Sequence, residues 1–121
     1  MPRKLTTRKL LLMASMMLAP VLVVPLPATG QDAEQVKKGQ EVYVAQKCSV
    51  CHAIAGKGNK MNPLDGVGKK LTADEIRHWI TNPTEMSAKT KSTKKPPMPN
   101  KYASLPKAEL DALVAYMQSL K

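Results

Sequence analysis

The chain has 121 residues, a formal net charge of +10 and very few aromatic side chains: one tryptophan, three tyrosines and no phenylalanine. A single domain of this length buries a low fraction of its surface, so it often depends on a staple such as a disulfide, a metal or a cofactor. Two cysteines allow at most one disulfide, which excludes a disulfide-rich secreted scaffold. The composition therefore argues against a domain that stabilises itself through side-chain packing alone.

The first thirty residues have the layout of a secretory signal peptide. A basic head is followed by a nearly continuous apolar run over 10–24, and Ala28-Thr29-Gly30 provides small residues for cleavage after Gly30. We expect residues 1–30 to be removed on export to the periplasm, which leaves a domain over 31–121 with 15 Lys and Arg against 9 acidic residues, or +6. An uncleaved anchor facing the periplasm is the alternative, although three prolines interrupt the apolar run.

The remaining sequence predicts an all-α domain. Helical spacing favours helices over 33–46, from Thr72 to just before Pro83, and over 106–120, and no segment shows a convincing two-residue period. Thr72 and Glu75 fit a capping box at the start of the second helix. The third helix carries the clearest apolar stripe, formed by Leu110, Leu113, Val114, Met117 and Leu120.

Two long connections, 53–71 and 83–105, separate these helices. Structureless loops of this length are uncommon in a compact domain and usually indicate function or disorder. A domain made of three short helices and two long loops needs a further component around which these elements can pack.

The sequence Cys48-Ser49-Val50-Cys51-His52 is a C-x-x-C-H motif, the attachment signature of a c-type haem. Two thiols one helical turn apart can bond the two vinyl groups of one porphyrin, and the adjacent histidine can become an axial iron ligand. A thioredoxin-type redox motif would need a βαβ context, which this sequence lacks. A zinc site would need two further ligands, and the only other histidine is His78.

On this motif and its position after an N-terminal helix, the chain resembles class I (mitochondrial-type) monohaem cytochromes c. The resemblance implies three main helices and long loops around one covalently attached haem, and a single-electron carrier rather than an enzyme. It also implies that Gly39 and Tyr43 pack across the C-terminal helix, where Tyr116 is the partner. A haem subunit of a larger dehydrogenase or reductase, and a haem enzyme with an open sixth position, are the alternative functions.

The sixth iron ligand is expected to be a methionine, whose soft thioether favours reduced iron. Met117 belongs to the apolar stripe and Met61 follows closely on His52, which leaves Met86 and Met98. Met98 lies in a proline-flanked segment that is stiff and cannot collapse into a helix. In the resembling family the ligand lies in a Met-Pro loop before the last helix, which implies Met98. Ligation by His78 is a minor alternative.

The resemblance implies two further cofactor contacts. Pro63, in Pro63-Leu64-Asp65-Gly66, corresponds to the proline whose carbonyl accepts a hydrogen bond from the ligand histidine, although an ordinary turn is the alternative. Trp79 resembles the tryptophan near a haem propionate in some relatives, and a plain core tryptophan is equally compatible with the sequence.

Lysines are concentrated in the two long connections, at positions 57, 60, 69, 70, 89, 91, 94, 95 and 101. We expect them to steer an acidic redox partner protein toward the haem edge, since focused charge raises association rates. A merely solvated basic surface is the alternative. Nucleic-acid binding is not expected, because the chain has almost no aromatic side chains to stack on bases. The carrier is expected to be a monomer.

Overall fold

The computed structural model describes residues 29–121, so the predicted signal peptide lies outside the described residues except for Thr29 and Gly30, which open the first helix. The helices are α1 Thr29–Ala45, α2 Val67–Lys70, α3 Ala73–Thr81, α4 Pro83–Thr90 and α5 Lys107–Ser119. Two 3-10 turns span Cys48–Val50 and Asn100–Ser104, and two short strands are β1 Ala53–Ile54 and β2 Lys57–Gly58. None of the helices within residues 29–121 has the length and apolar character needed to cross a bilayer.

The first and last helices cross in close contact at Gly39. A Cβ atom there would collide with the backbone carbonyl of Ala112 and lie 2.6 Å from the Cβ of Tyr116. One turn further along α1, the ring of Tyr43 meets that of Tyr116 edge to face, with centroids 5.8 Å apart. The expected packing of Gly39, Tyr43 and Tyr116 is therefore confirmed.

Helix α3 begins with the capping box that its sequence predicts. The backbone N–H of Glu75 donates to Thr72 Oγ1 at 3.2 Å, and the Glu75 carboxylate accepts from the backbone N–H of Thr72 at 2.8 Å. An Arg77–Asp111 ion pair at 2.6 Å then links α3 to α5. Hydrogen bonds from Lys107 and from Arg77 hold the pKa of Asp111 below its usual value.

Helix α4 corrects the prediction of an unbroken loop over 83–105. Pro83 ends the preceding helix but also starts this one, because its fixed φ and missing N–H suit the first helical position. The Asn82 side chain accepts from the backbone N–H of Glu85 at 3.3 Å, and Met86 is buried beneath the helix. The non-helical part of this connection therefore begins after Thr90, where Lys91 adopts a left-handed conformation (φ 53°).

The connection over 53–71 also contains more structure than the sequence predicts. Ala53 pairs with Gly58 across β1 and β2, and Gly58 has a φ of 102°. A side chain at Gly58 would collide with the carbonyl oxygen of His52, so glycine is required in this tight turn. Further along, Gly68 packs against the backbone of Gln118 and donates to the Leu120 carbonyl at 2.9 Å, which attaches α2 to the end of α5.

The apolar core lies between α1, α3, α5 and the second 3-10 turn. Its buried members are Val42, Tyr43, Ile76, Ile80, Tyr102, Leu110, Leu113, Val114 and Met117. Several of them also line a large cavity, so the core forms a wall around that cavity.

Candidate haem site

The C-x-x-C-H motif forms a single tight turn directly after α1. Lys47 reverses the chain with a left-handed φ of 56°, which starts the 3-10 turn at Cys48. The carbonyl of Cys48 then accepts from the backbone N–H of Cys51 at 3.1 Å and from that of His52 at 2.9 Å. Both cysteines and His52 consequently line the same cavity.

His52 is held by a backbone carbonyl, but not by the one that the sequence predicts. Its Nδ1 lies 3.1 Å from the carbonyl oxygen of Asn62. Since a carbonyl can only accept, Nδ1 carries the proton and Nε2 is left with its lone pair. Burial lowers the pKa of His52, while the hydrogen bond to Asn62 acts in the opposite direction. In the neutral ring, Nε2 is therefore available to bind a metal ion.

The prediction of Pro63 as the acceptor is wrong by one residue. A parallel bridge joins Ala53 to Pro63: the N–H of Ala53 donates to Asn62 O at 3.2 Å, and the N–H of Leu64 donates to Ala53 O at 2.8 Å. This register brings the carbonyl of Asn62, rather than the carbonyl of Pro63, to the ring of His52. Pro63 itself lines the cavity.

The two cysteines are half-buried and are not joined in a disulfide. Burial is the main cause that raises the pKa of Cys48 to about 11. A thioredoxin-type redox cysteine needs the opposite shift, because its thiolate is the reactive form. The strands of the described residues, β1 and β2, form an antiparallel pair rather than a βαβ unit, which also disfavours the thioredoxin-type alternative.

The cavity has a volume of about 520 Å³ and a mostly apolar lining. Sites for cofactors and other small molecules generally fall between about 300 and 1,000 Å³. Its walls come from every part of the described fold except the strands, and include Tyr43, Leu71, Ile76, Ile80, Tyr102 and Leu113. An apolar group of cofactor size is compatible with this volume and this lining.

The four methionines of the described region lie in different environments. Met61 is exposed (76%), and Met86 is buried (4%) under α4, outside the cavity lining. Met98 and Met117 both line the cavity. Met117 is also a member of the core cluster on α5, as its place in the apolar stripe predicts. Among the two candidates that the sequence leaves open, Met98 is the one at the cavity.

Residues 36–121 match the cytochrome c family. The chain belongs to the cytochrome c family. No curated protein and no solved structure matched the chain in the corresponding comparisons. The predicted resemblance is confirmed at the level of the family, and with it the all-α cytochrome c fold. Membership supports a covalently bound c-type haem and a role in electron transfer.

The residues of this cytochrome c fit a covalent haem. Thiols, an imidazole with a free Nε2 and a thioether converge on one cavity, and these are the groups that hold a c-type haem. No buried side-chain nitrogen or oxygen among the described residues lacks a hydrogen-bond partner. A bound group therefore has no buried side-chain nitrogen or oxygen to satisfy, which agrees with the mostly apolar lining.

Trp79 and His78 are neighbours on α3 with different surroundings. Trp79 is half-buried and lines the cavity. His78 is partly exposed and its Nε2 lies 3.1 Å from Glu85 Oε2 on α4. It belongs to the α3–α4 junction and is not part of the cavity lining.

Two contacts of the cytochrome c site were not predicted from the sequence. The hydroxyl of Tyr43 donates a long hydrogen bond (3.5 Å) to the carbonyl of His52, and burial raises the pKa of this tyrosine to about 12. Tyr102 is buried and lines the cavity four residues after Met98. The sequence offered one signal for these two tyrosines. In a chain with so few aromatic residues, each of them is expected to be used in the core.

Proposed function

We propose that this chain is a single-electron carrier with one haem, bonded to Cys48 and Cys51 and ligated axially by His52 and Met98. The observation that carries the proposal is the convergence of all four side chains on one cavity. Haem iron supplies reversible one-electron chemistry when bound.

The protein residues would each have a separate task. The Asn62 carbonyl orients the His52 ring by accepting a hydrogen bond from Nδ1–H, with Nδ1 and the oxygen 3.1 Å apart, which leaves Nε2 for the iron. The apolar walls exclude water, and a neutral thioether from Met98 favours the reduced state. With both axial positions taken by side chains, a substrate would have no place at the iron, which supports a carrier rather than an enzyme.

Replacement of Met98 by alanine tests the ligand assignment. We expect the weak sulfur-to-iron absorption band near the red end of the visible spectrum to be lost in the oxidised holoprotein. The reason is that Met98 is the cavity-lining methionine outside the α5 core stripe. Visible spectra of both oxidation states are the measurement.

Met61→Ala is the matched control, because Met61 is exposed and its thioether should not affect the band. Persistence of the band in Met98→Ala would contradict the assignment. The band should then be lost in Met86→Ala if Met86 is the ligand instead.

We further propose that exposed lysines near the cavity steer an acidic redox partner. The lysines at 57, 60, 69, 70, 89, 91, 94, 95 and 101 are all exposed, and Lys94 also lines the cavity. The acidic residues of α3 and α5 are occupied in part by internal contacts, such as Asp111 with Arg77. Lys94 donates to the Met61 carbonyl, whereas the other eight lysines make no side-chain hydrogen bond or ion pair within the described residues, so their charges can act on an approaching molecule.

The charge dependence of electron exchange tests this steering. We expect the rate with an anionic inorganic oxidant to fall about tenfold or more between low and high ionic strength. The rate with a cationic oxidant should rise over the same range. Stopped-flow absorbance of the holoprotein measures both rates.

Replacing Lys91 and Lys95, which are both exposed, together by glutamine should reduce the salt dependence with the anionic oxidant. Lys37→Gln combined with Lys38→Gln is the charge-matched control, because it removes two exposed lysines from α1. Rates that do not change with ionic strength would show that the basic surface is only solvated.

The periplasmic location rests on the N-terminal layout and on the family, whose members are typically exported. We propose that residues 1–30 direct export and that the domain over 31–121 acts outside the cytoplasm. The N-terminal residue of the secreted protein, read by mass spectrometry, distinguishes cleavage after Gly30 from a retained anchor.

A further inference from the structure

The segment between α4 and the second 3-10 turn, residues 91–99, carries Met98 and has little backbone support of its own. Its prolines at 96, 97 and 99 have no N–H to donate. Within 93–98 of the described chain, the backbone makes no hydrogen bond to another backbone group. The position of this segment must therefore depend on side-chain contacts.

Two such contacts tie the segment to different parts of the fold. On its N-terminal side, Lys94 Nζ donates to the carbonyl oxygen of Met61 at 3.2 Å. Met61 directly precedes Asn62, the residue whose carbonyl orients His52. The lysine thus joins the loop that carries Met98 to the loop that holds His52.

The second contact lies just after the segment. The Thr84 hydroxyl lies within hydrogen-bond distance of both polar atoms of the Asn100 side chain. It can donate to Oδ1 at 3.1 Å and accept from Nδ2 at 3.0 Å. Thr84 is on the first turn of α4, which the buried Pro83 and Met86 hold in place. Asn100 opens the 3-10 turn that contains the buried Tyr102.

We propose that Lys94 and the Thr84–Asn100 pair are positioning residues that hold Met98 at the iron from both sides. This inference rests on the proposed ligation by Met98. If the two contacts hold the segment, then losing either one should make it easier for an external ligand to replace the methionine. An intramolecular hydrogen bond of typical net strength corresponds to a change of roughly three- to tenfold in that equilibrium.

Titration of the oxidised holoprotein with imidazole at pH 8 tests the inference. Imidazole is mostly neutral at this pH, so the loss of a lysine charge does not by itself attract it. We expect Lys94→Met and Thr84→Val each to raise the apparent association constant three- to tenfold, followed by loss of the sulfur-to-iron band. Thr84→Ser should restore the wild-type constant, because it returns the hydroxyl.

Two controls match these changes chemically. Lys95→Met removes the neighbouring lysine, and Thr93→Val removes a hydroxyl from the same segment; neither side chain contributes a hydrogen bond within the described residues. Both should bind imidazole within about twofold of wild type. Asn100→Ala combined with Thr84→Val should have no more effect than either change alone, since both remove one interaction.

Wild-type imidazole binding in both Lys94→Met and Thr84→Val would overturn the inference, as would equal increases in the two controls. Failure of the ligand assignment has a separate signature. In that case Met98→Ala keeps the sulfur-to-iron band, whatever the imidazole affinities of Lys94→Met and Thr84→Val.

Discussion

A chain in which Cys48 and Cys51 are both replaced by alanine is expected to lose its haem on denaturation and to remain largely unfolded without it. The core residues Tyr43, Ile76 and Tyr102 form walls of the cavity and would lose their contacts on one side. Cavity formation costs about 24 cal/mol per Å³. Because the cavity of about 520 Å³ is partly open to solvent, this rate gives only an upper limit, on the order of 12 kcal/mol, for the cost of leaving it empty. Whole domains are stable by only about 5–15 kcal/mol.

Haem staining after denaturing electrophoresis measures covalent attachment, and circular dichroism during heating measures folding of the haem-free chain. Ser49→Ala is the matched control, because Ser49 lies between the two cysteines and its exposed hydroxyl makes no contact that the site needs. It should keep both haem and fold. A cooperative unfolding transition in the haem-free double variant would contradict the idea that haem completes the core.

Replacement of Gly39 by valine is expected to cause the largest loss of stability among changes outside the haem site. Its Cβ would collide with the Ala112 carbonyl, and a backbone carbonyl inside α5 cannot rotate away. Overpacking of this kind costs about 3 kcal/mol. In a domain of this size that corresponds to a fall of roughly 12 °C or more in the unfolding temperature of the holoprotein.

Gln40→Val is the control for the intrinsic effect of valine in a helix, because Gln40 is exposed on the same helix. The propensity cost of valine is no more than about 0.7 kcal/mol. Thermal unfolding followed by circular dichroism compares the two variants. Similar unfolding temperatures for Gly39→Val and Gln40→Val would mean that α1 and α5 do not pack closely at this glycine.

Local signals in the sequence were sufficient for several elements. The hydrogen bonds of a capping box join residues three positions apart, so Thr72 and Glu75 marked the start of α3 without knowledge of the fold. The apolar stripe of α5 likewise reflects helical periodicity within one segment. The C-x-x-C-H motif brings its three groups together within one turn, which is why the site could be located from five consecutive residues.

Other features could not be obtained in this way. Pro83 carries two opposite local signals, since it stops one helix and begins the next. The burial of Met86 supports the second outcome, and burial depends on the whole fold. The positions of Met86 and Met98 could not be told apart in this way either, because burial of Met86 outside the cavity lining and the place of Met98 within it depend on the folded chain.

The sequence by itself indicated that this chain wraps a cofactor. The signals were the scarcity of aromatic residues, the two cysteines and the C-x-x-C-H motif, and all of them are properties of composition or of short-range spacing. The tertiary structure decided which carbonyl meets His52. Asn62 accepts instead of Pro63 because the bridge from Ala53 sets the register of two segments ten residues apart. Likewise, the contacts Lys94–Met61 and Thr84–Asn100 join residues distant in sequence. Such pairings depend on how the helices pack, which no local pattern encodes.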